Sequence, residues 1–142
     1  MARTLTEAPV SLDYAHYNLV KPQDWTWPHF TPREMACPHC GKLKVEPDMM
    51  DRLEAARLIY GAAIVLASAY RCPVHNAAIG GAKDSAHTRG TAVDPKDPET
   101  GIARRKLIAA FFSAGFEGFG MGAHKFHFDV DPLGFRAWHY GA

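Results

Sequence analysis

The chain has 142 residues, 47% apolar and 22% charged, a length for about one domain and a balance typical of chains that fold around a core. Sixteen Lys and Arg against fifteen Asp and Glu leave +1, which argues against the basic surface that a nucleic-acid partner favours. Three cysteines are too few for a disulfide scaffold, whereas eight histidines direct attention to metal ligation and proton transfer.

The stretch Met1 to Pro9 lacks the apolar core of a secretory signal, so synthesis in the cytoplasm without Sec export is expected. Residues 1–36 are rich in Pro and aromatics (Tyr14, Tyr17, Trp25, Trp27, Phe30) without a sustained period and read as a strap packed on a body formed by residues 37–142. Pro47 is a favoured first helical residue; Met50, Leu53, Ala56 or Arg57 and Tyr60 recur at helical spacing, and Gly61 supplies the stop. The continuously apolar Ala62–Tyr70 predicts a central strand covered on both faces, delivering Tyr70 and Arg71 to a sheet edge. With Gly61 it is the longest apolar run, half of the about 20 residues a bilayer requires, so no membrane span is expected.

Residues 76–90 have the composition of a long loop with one helical turn near Asn76–Ile79, a length that usually serves function. Thr91–Asp94 reads as a short strand, and Ile102–Ala114 as a helix burying Leu107, Ile108, Phe111 and Phe112, with Gly115 after it. Phe126, Phe128 and Val130 alternate with Lys125, His127, Asp129 and Asp131, the period of a half-buried strand that puts His127 and Asp129 on its polar face. The order of elements predicts a single α+β domain with a small mixed or antiparallel sheet flanked by helices.

Chemistry concentrates in Ser85-Ala86-His87-Thr88-Arg89-Gly90-Thr91-Ala92-Val93-Asp94, a His at the end of a Gly-rich loop and an Asp at the end of a strand, with His127 available as a third ligand. Two imidazoles and a carboxylate suit zinc while leaving a fourth position for water, the pattern of a hydrolytic site. Spacing alone is also compatible with a loop His and a turn Asp unrelated to any metal.

Arg71-Cys72-Pro73-Val74-His75-Asn76, then Gly80-Gly81-Ala82-Lys83, Ser85, His87, Gly90, Asp94, Phe126-His127-Phe128-Asp129 and a late Trp138 closely resemble the zinc D-Ala-D-Ala carboxypeptidase and L-alanyl-D-glutamate endopeptidase family, from about Phe30 to Trp138. The resemblance implies a hedgehog-like peptidase fold and a monomeric zinc enzyme that cuts the stem peptides of peptidoglycan, of phage or prophage endolysin type. Such an enzyme would act in the periplasm or at the cell wall after release. It further implies His87, Asp94 and His127 as zinc ligands, Arg71 as the residue that steadies substrate and developing oxyanion, and Ser85 as a substrate contact. A carboxypeptidase or dipeptidase, and a zinc-bound module that only binds, are alternatives on the same fold.

The family's general base stands three residues before the last zinc histidine, and His124 occupies that position here. An imidazole is competent for this work near neutral pH. In an unbroken strand, however, residue 124 faces away from the metal, unless Gly120 and Gly122 bend the chain; Asp129 has the correct parity and is the second candidate, as base or as an acceptor that orients an imidazole. Cys37-Pro38-His39-Cys40 and Cys72-Pro73-Val74-His75 leave three states open: a Cys3His zinc, one disulfide, or free thiols.

Overall fold

Proline opens three helices, as its fixed φ and missing N–H favour at a first helical position: α1 (Pro32–Met35), α2 (Pro47–Tyr60) and α3 (Pro73–Ala78). The computed structural model describes residues 11–130 and 134–140; the first ten residues of the expected strap and Asp131 lie outside them. α1 is a single turn held by a capping box, in which the Glu34 amide donates to Thr31 Oγ1 at 3.2 Å and the Thr31 amide to Glu34 Oε1 at 3.0 Å. α4 (Gly101–Ser113) is capped by Thr100, whose Oγ1 accepts the Ala103 amide at 3.2 Å.

Strands β1 (Leu12–Tyr14) and β2 (Leu43–Val45) form a separate antiparallel pair. The main sheet joins β3 (Leu66–Ser68), β4 (Ala92–Pro95), β5 (Gly118–Met121), β6 (Phe126–Asp129) and β7 (Arg136–His139) in the order β3-β4-β6-β5-β7. Every neighbouring pair is antiparallel except β5 and β7, so the sheet is mixed and the α+β expectation holds.

The alternation of β6 decides the layout. Phe126 and Phe128 face α2 and α4, which pack against each other; Phe128 is fully buried and stacks on Phe111 with ring centroids 4.1 Å apart. Trp27, Phe30 and Met35, from the expected strap, are buried in this same core. The opposite face of β6 carries His127 and Asp129, which are also buried, at 6% and 1% exposure. β6 is therefore covered on both faces rather than half-buried, because Arg136 and Trp138 of β7 pack on Asp129 and His127 on its polar side.

Two further expectations change. The run 62–70 is not a central strand: only Leu66–Ser68 pairs, β3 lies at the sheet edge and Val65 is 58% exposed. Ala62, Ala63, Ala67 and Ala69 make the run apolar in composition while giving it little area to bury. The helical turn expected near Asn76–Ile79 begins earlier, at Pro73, and Phe112 of α4 turns largely outward. Among the described residues no helix is long and apolar enough to cross a membrane.

Candidate active site

His87 comes from a single 3-10 turn, Ala86–Arg89, Asp94 from β4 and His127 from β6. In the antiparallel β4–β6 ladder Ala92 faces Asp129 and Val93 faces Phe128, so the next step sets Asp94 beside His127. His87 is brought to them by a turn that opens on Ser85, whose Oγ accepts the His87 amide at 3.2 Å. The turn closes on Gly90 at φ +74°, where a Cβ would lie 2.5 Å from the Lys44 carbonyl oxygen, so conformation and space both require glycine.

His87 Nε2, Asp94 Oδ1 and His127 Nδ1 converge on one point, with separations of 3.0 Å (His87 to Asp94), 2.9 Å (His127 to Asp94) and 3.2 Å (His127 to His87). Three ligands of a tetrahedral zinc, each roughly 2.0–2.1 Å from the ion, stand about 3.3 Å apart. The outer ring nitrogens fix the tautomers. His87 Nδ1 lies 2.6 Å from the Ala69 carbonyl oxygen, which only accepts, so Nδ1 carries the proton and Nε2 turns its lone pair inward. His127 Nε2 donates to Asp129 Oδ2 at 2.7 Å, which leaves the Nδ1 lone pair facing the same point. Two ring nitrogens and a carboxylate oxygen at these separations, with the outer ring nitrogens already engaged, are a donor set that fits a cation in place of a shared proton.

The electrostatics agree. Burial opposes charge on Asp94, yet the His127 and His87 imidazoles hold its carboxyl well below the usual carboxylate range. Burial pushes the His87 imidazole down and outweighs the attraction of Asp94. At His127 burial acts in the same sense, but Asp129 and Asp94 together overcome it and raise the imidazole, so in the metal-free protein a proton tends to take the place of a cation.

A cleft of about 770 Å³ opens over this point, lined among others by Arg71, Ser85, Lys125, Arg136, Trp138 and Tyr140. Lys125 Nζ donates to Asp94 Oδ2 at 3.1 Å, and Arg136 donates from a terminal nitrogen to Asp129 Oδ1 at 2.7 Å, so both oxygens of Asp129 are engaged. Arg71, half-buried beyond the end of β3, has an Nε–H with no hydrogen-bond partner among the described residues. Burial pulls its pKa down against the attraction of Asp94, but a guanidinium stays charged. His124 is exposed and does not line the cleft; its carbonyl oxygen accepts the Asp97 amide at 3.1 Å.

Glycines make room for the charged pairs. Gly118 faces Asp129 across the β5–β6 ladder, and a Cβ there would sit 2.2 Å from Asp129 Oδ1. Gly120 faces His127 and Trp138, and its Cβ would come within 2.8 Å of the Trp138 ring, which lies 5.2 Å from the His127 ring. Sequence reasoning did not find Gly118, Lys125, Arg136 or Tyr140. A Gly-x-Gly facing His-x-Asp across a hairpin was the available signal for the first.

A family model described as Peptidase M15 matches residues 28–131, close to three quarters of the chain. The chain belongs to the peptidase M15 family. No curated protein and no solved structure gives a match. The M15 segment contains Arg71, Ser85, His87, Asp94, His127 and Asp129, whereas Arg136, Trp138 and Tyr140 follow it and are supplied by β7 and the residue after it. Membership of the M15 family makes this a peptidase, and the convergent triad is a candidate metal site within it.

Proposed function

We propose that the chain is a zinc-dependent peptidase that hydrolyses an amide bond in the stem peptides of peptidoglycan, acting as a phage or prophage endolysin at the cell wall. The observation that carries this reading is the convergence of three ligand atoms, from His87, Asp94 and His127, in the cleft of an M15 family member. These three residues would hold the ion. When bound, zinc polarises the scissile carbonyl and lowers the pKa of its bound water toward neutrality.

The chain's own residues do the rest. Arg71 lines the cleft and carries a permanent charge, suited to the negative charge that develops on the carbonyl oxygen or to a peptide carboxylate. The Ser85 hydroxyl, which accepts the His87 amide, keeps its own proton to donate to a substrate carbonyl. Asp129 holds the His127 ring in the ligating tautomer, and Arg136 holds Asp129. Lys125 adds positive charge beside Asp94, which favours an acidic stem peptide. Asp129, bonded through both oxygens, serves in this reading as an anchor rather than as the base, and His124 is exposed and outside the cleft lining.

A second reading, cleavage of a C-terminal D-Ala, is favoured by the same Arg71 fork, which matches a terminal carboxylate in two-point contact. Digestion of defined stem peptides separates the two by their products, a released single residue against two peptides. Metal analysis tests the ligand set: the purified protein binds zinc at this site, and Asp94→Ala and His127→Ala lose that ion together with hydrolysis. Retention of the ion and of turnover in both variants overturns the assignment.

A further inference from the structure

The described residues hold one other group of converging ligand atoms. The sulfurs of Cys37, Cys40 and Cys72 all lie within 4.8 Å of one another, and no disulfide joins them. Three thiolates around a tetrahedral zinc, each about 2.3 Å from the ion, stand about 3.8 Å apart.

The backbone around the sulfurs brings them together through two tight local structures. The amide of His75 donates to Cys72 Sγ at 3.4 Å. Gly41 makes the second turn possible. At φ +78° it reverses the chain, its own N–H donates to the Cys37 carbonyl at 2.8 Å, and the Cys37 amide donates back to Lys42 at 2.8 Å. A Cβ there would strike the His16 ring at 2.5 Å. Burial pushes the Cys37 thiol up, yet backbone hydrogen bonding outweighs it and lowers its pKa; Cys40 is raised by burial and by its two sulfur neighbours, against the backbone at Lys42. The sulfurs resist ionising side by side, a repulsion that a divalent cation between them removes.

We propose that Cys37, Cys40 and Cys72 hold a structural zinc ion as thiolates, its fourth position filled by water or by one of the His39 and His75 imidazoles. Those two rings stack 5.6 Å apart at 9°, one between Cys37 and Cys40 in the sequence and one on α3, which Cys72 caps. A surface cavity of about 600 Å³ lined by Cys37, His39 and Cys40 provides the entry path. The ion ties the segment after α1 to the start of α3, next to Arg71, and so braces the residue that the cleft uses. Buried Tyr70, which packs on Cys37 and Cys72, is pushed up to about 12 by burial and by the sulfurs nearby, so it stays neutral and leaves the cations to the thiolates.

This site stands apart from the catalytic reading, and zinc counting keeps the two separate. Full-length protein purified with reductant and without added metal should hold two zinc ions per chain. The double variant Asp94→Ala, His127→Ala should keep one, and Cys40→Ser, at an exposed sulfur, should keep one, with hydrolysis still present. In the double variant, cobalt replacement should give the intense sulfur-to-metal absorption of three thiolates; a shift of the weaker visible bands in His39→Ala or His75→Ala identifies an imidazole ligand, and no shift in either identifies water. In zinc-loaded wild-type protein the three thiols should react with Ellman's reagent only after a chelator is added. Three thiols that react freely in zinc-loaded protein, a disulfide under the same reducing conditions, or zinc content unaltered by Cys40→Ser would overturn the proposal.

Discussion

Gly118→Ala tests the anchoring of the proposed metal centre without touching a proposed ligand. The new Cβ would sit 2.2 Å from Asp129 Oδ1 and 2.6 Å from its Cγ, where ordinary contact begins near 3.4 Å, so the carboxylate must retreat by about 1 Å. It has nowhere free to go, since Oδ2 accepts from His127 and Oδ1 from Arg136, each at 2.7 Å. A retreat of that size stretches at least one bond to roughly 3.7 Å, beyond hydrogen-bond range. Losing one charge-assisted bond costs about 1.5–3 kcal/mol, and overpacking adds about 1–3 kcal/mol where the strand cannot yield. Because Asp129 holds the ligating tautomer of His127, zinc affinity should fall by roughly 10- to 100-fold. Chemical denaturation of the metal-free protein reads the first effect, and competition against a chromophoric chelator reads the second. Gly101→Ala is the control: a Cβ there meets nothing within 4 Å, so stability should stay within about 0.5 kcal/mol or rise. Unchanged zinc affinity and unchanged stability in Gly118→Ala would refute the role given to Asp129.

Phe128→Ala removes a fully buried ring stacked on Phe111 and should cost about 3–5 kcal/mol in denaturant unfolding. Zinc binding should weaken as pH falls through the imidazole range: raised His127 binds a proton more readily in the metal-free protein, so that proton stabilises the metal-free form at low pH and is lost as pH rises. The gap in Tm between zinc-loaded and metal-free protein should therefore widen from mildly acidic to neutral pH, by up to about tenfold in affinity per pH unit for each proton displaced. Arg71→Lys should keep fold and zinc but lose on the order of 10²-fold in kcat/KM, because a point charge replaces a fork. His124→Ala should leave turnover within a few-fold of wild type in steady-state assays, since the side chain is exposed and outside the cleft.

What the sequence disclosed follows from how local each signal is. The span of α2 was legible because Pro47 and Gly61 act within one turn of its ends and the apolar positions between them recur at the helical period. His87, Asp94 and His127 were legible as residue types that share one chemistry, and strand parity alone placed Asp129 on the side of β6 that carries His127. His124 lies in the bend between β5 and β6, outside the strand, so parity does not govern where its side chain goes. β3 was misread because alanine counts as apolar while contributing little buried area. Arg136 was invisible because β7 joins β5 in parallel, a pairing that no neighbouring residue encodes, and Gly118 acquires meaning only once the β5–β6 register is known.

Digestion of purified sacculi, followed by mass analysis of the fragments, tests the central claim most directly. The account predicts fragments with new amine and carboxylate ends within the stem peptide, one water added per bond, abolished by chelation and by Asp94→Ala and restored to the wild-type protein by zinc. Intact stem peptides under zinc-loaded conditions, or cleavage that persists in Asp94→Ala, would contradict it.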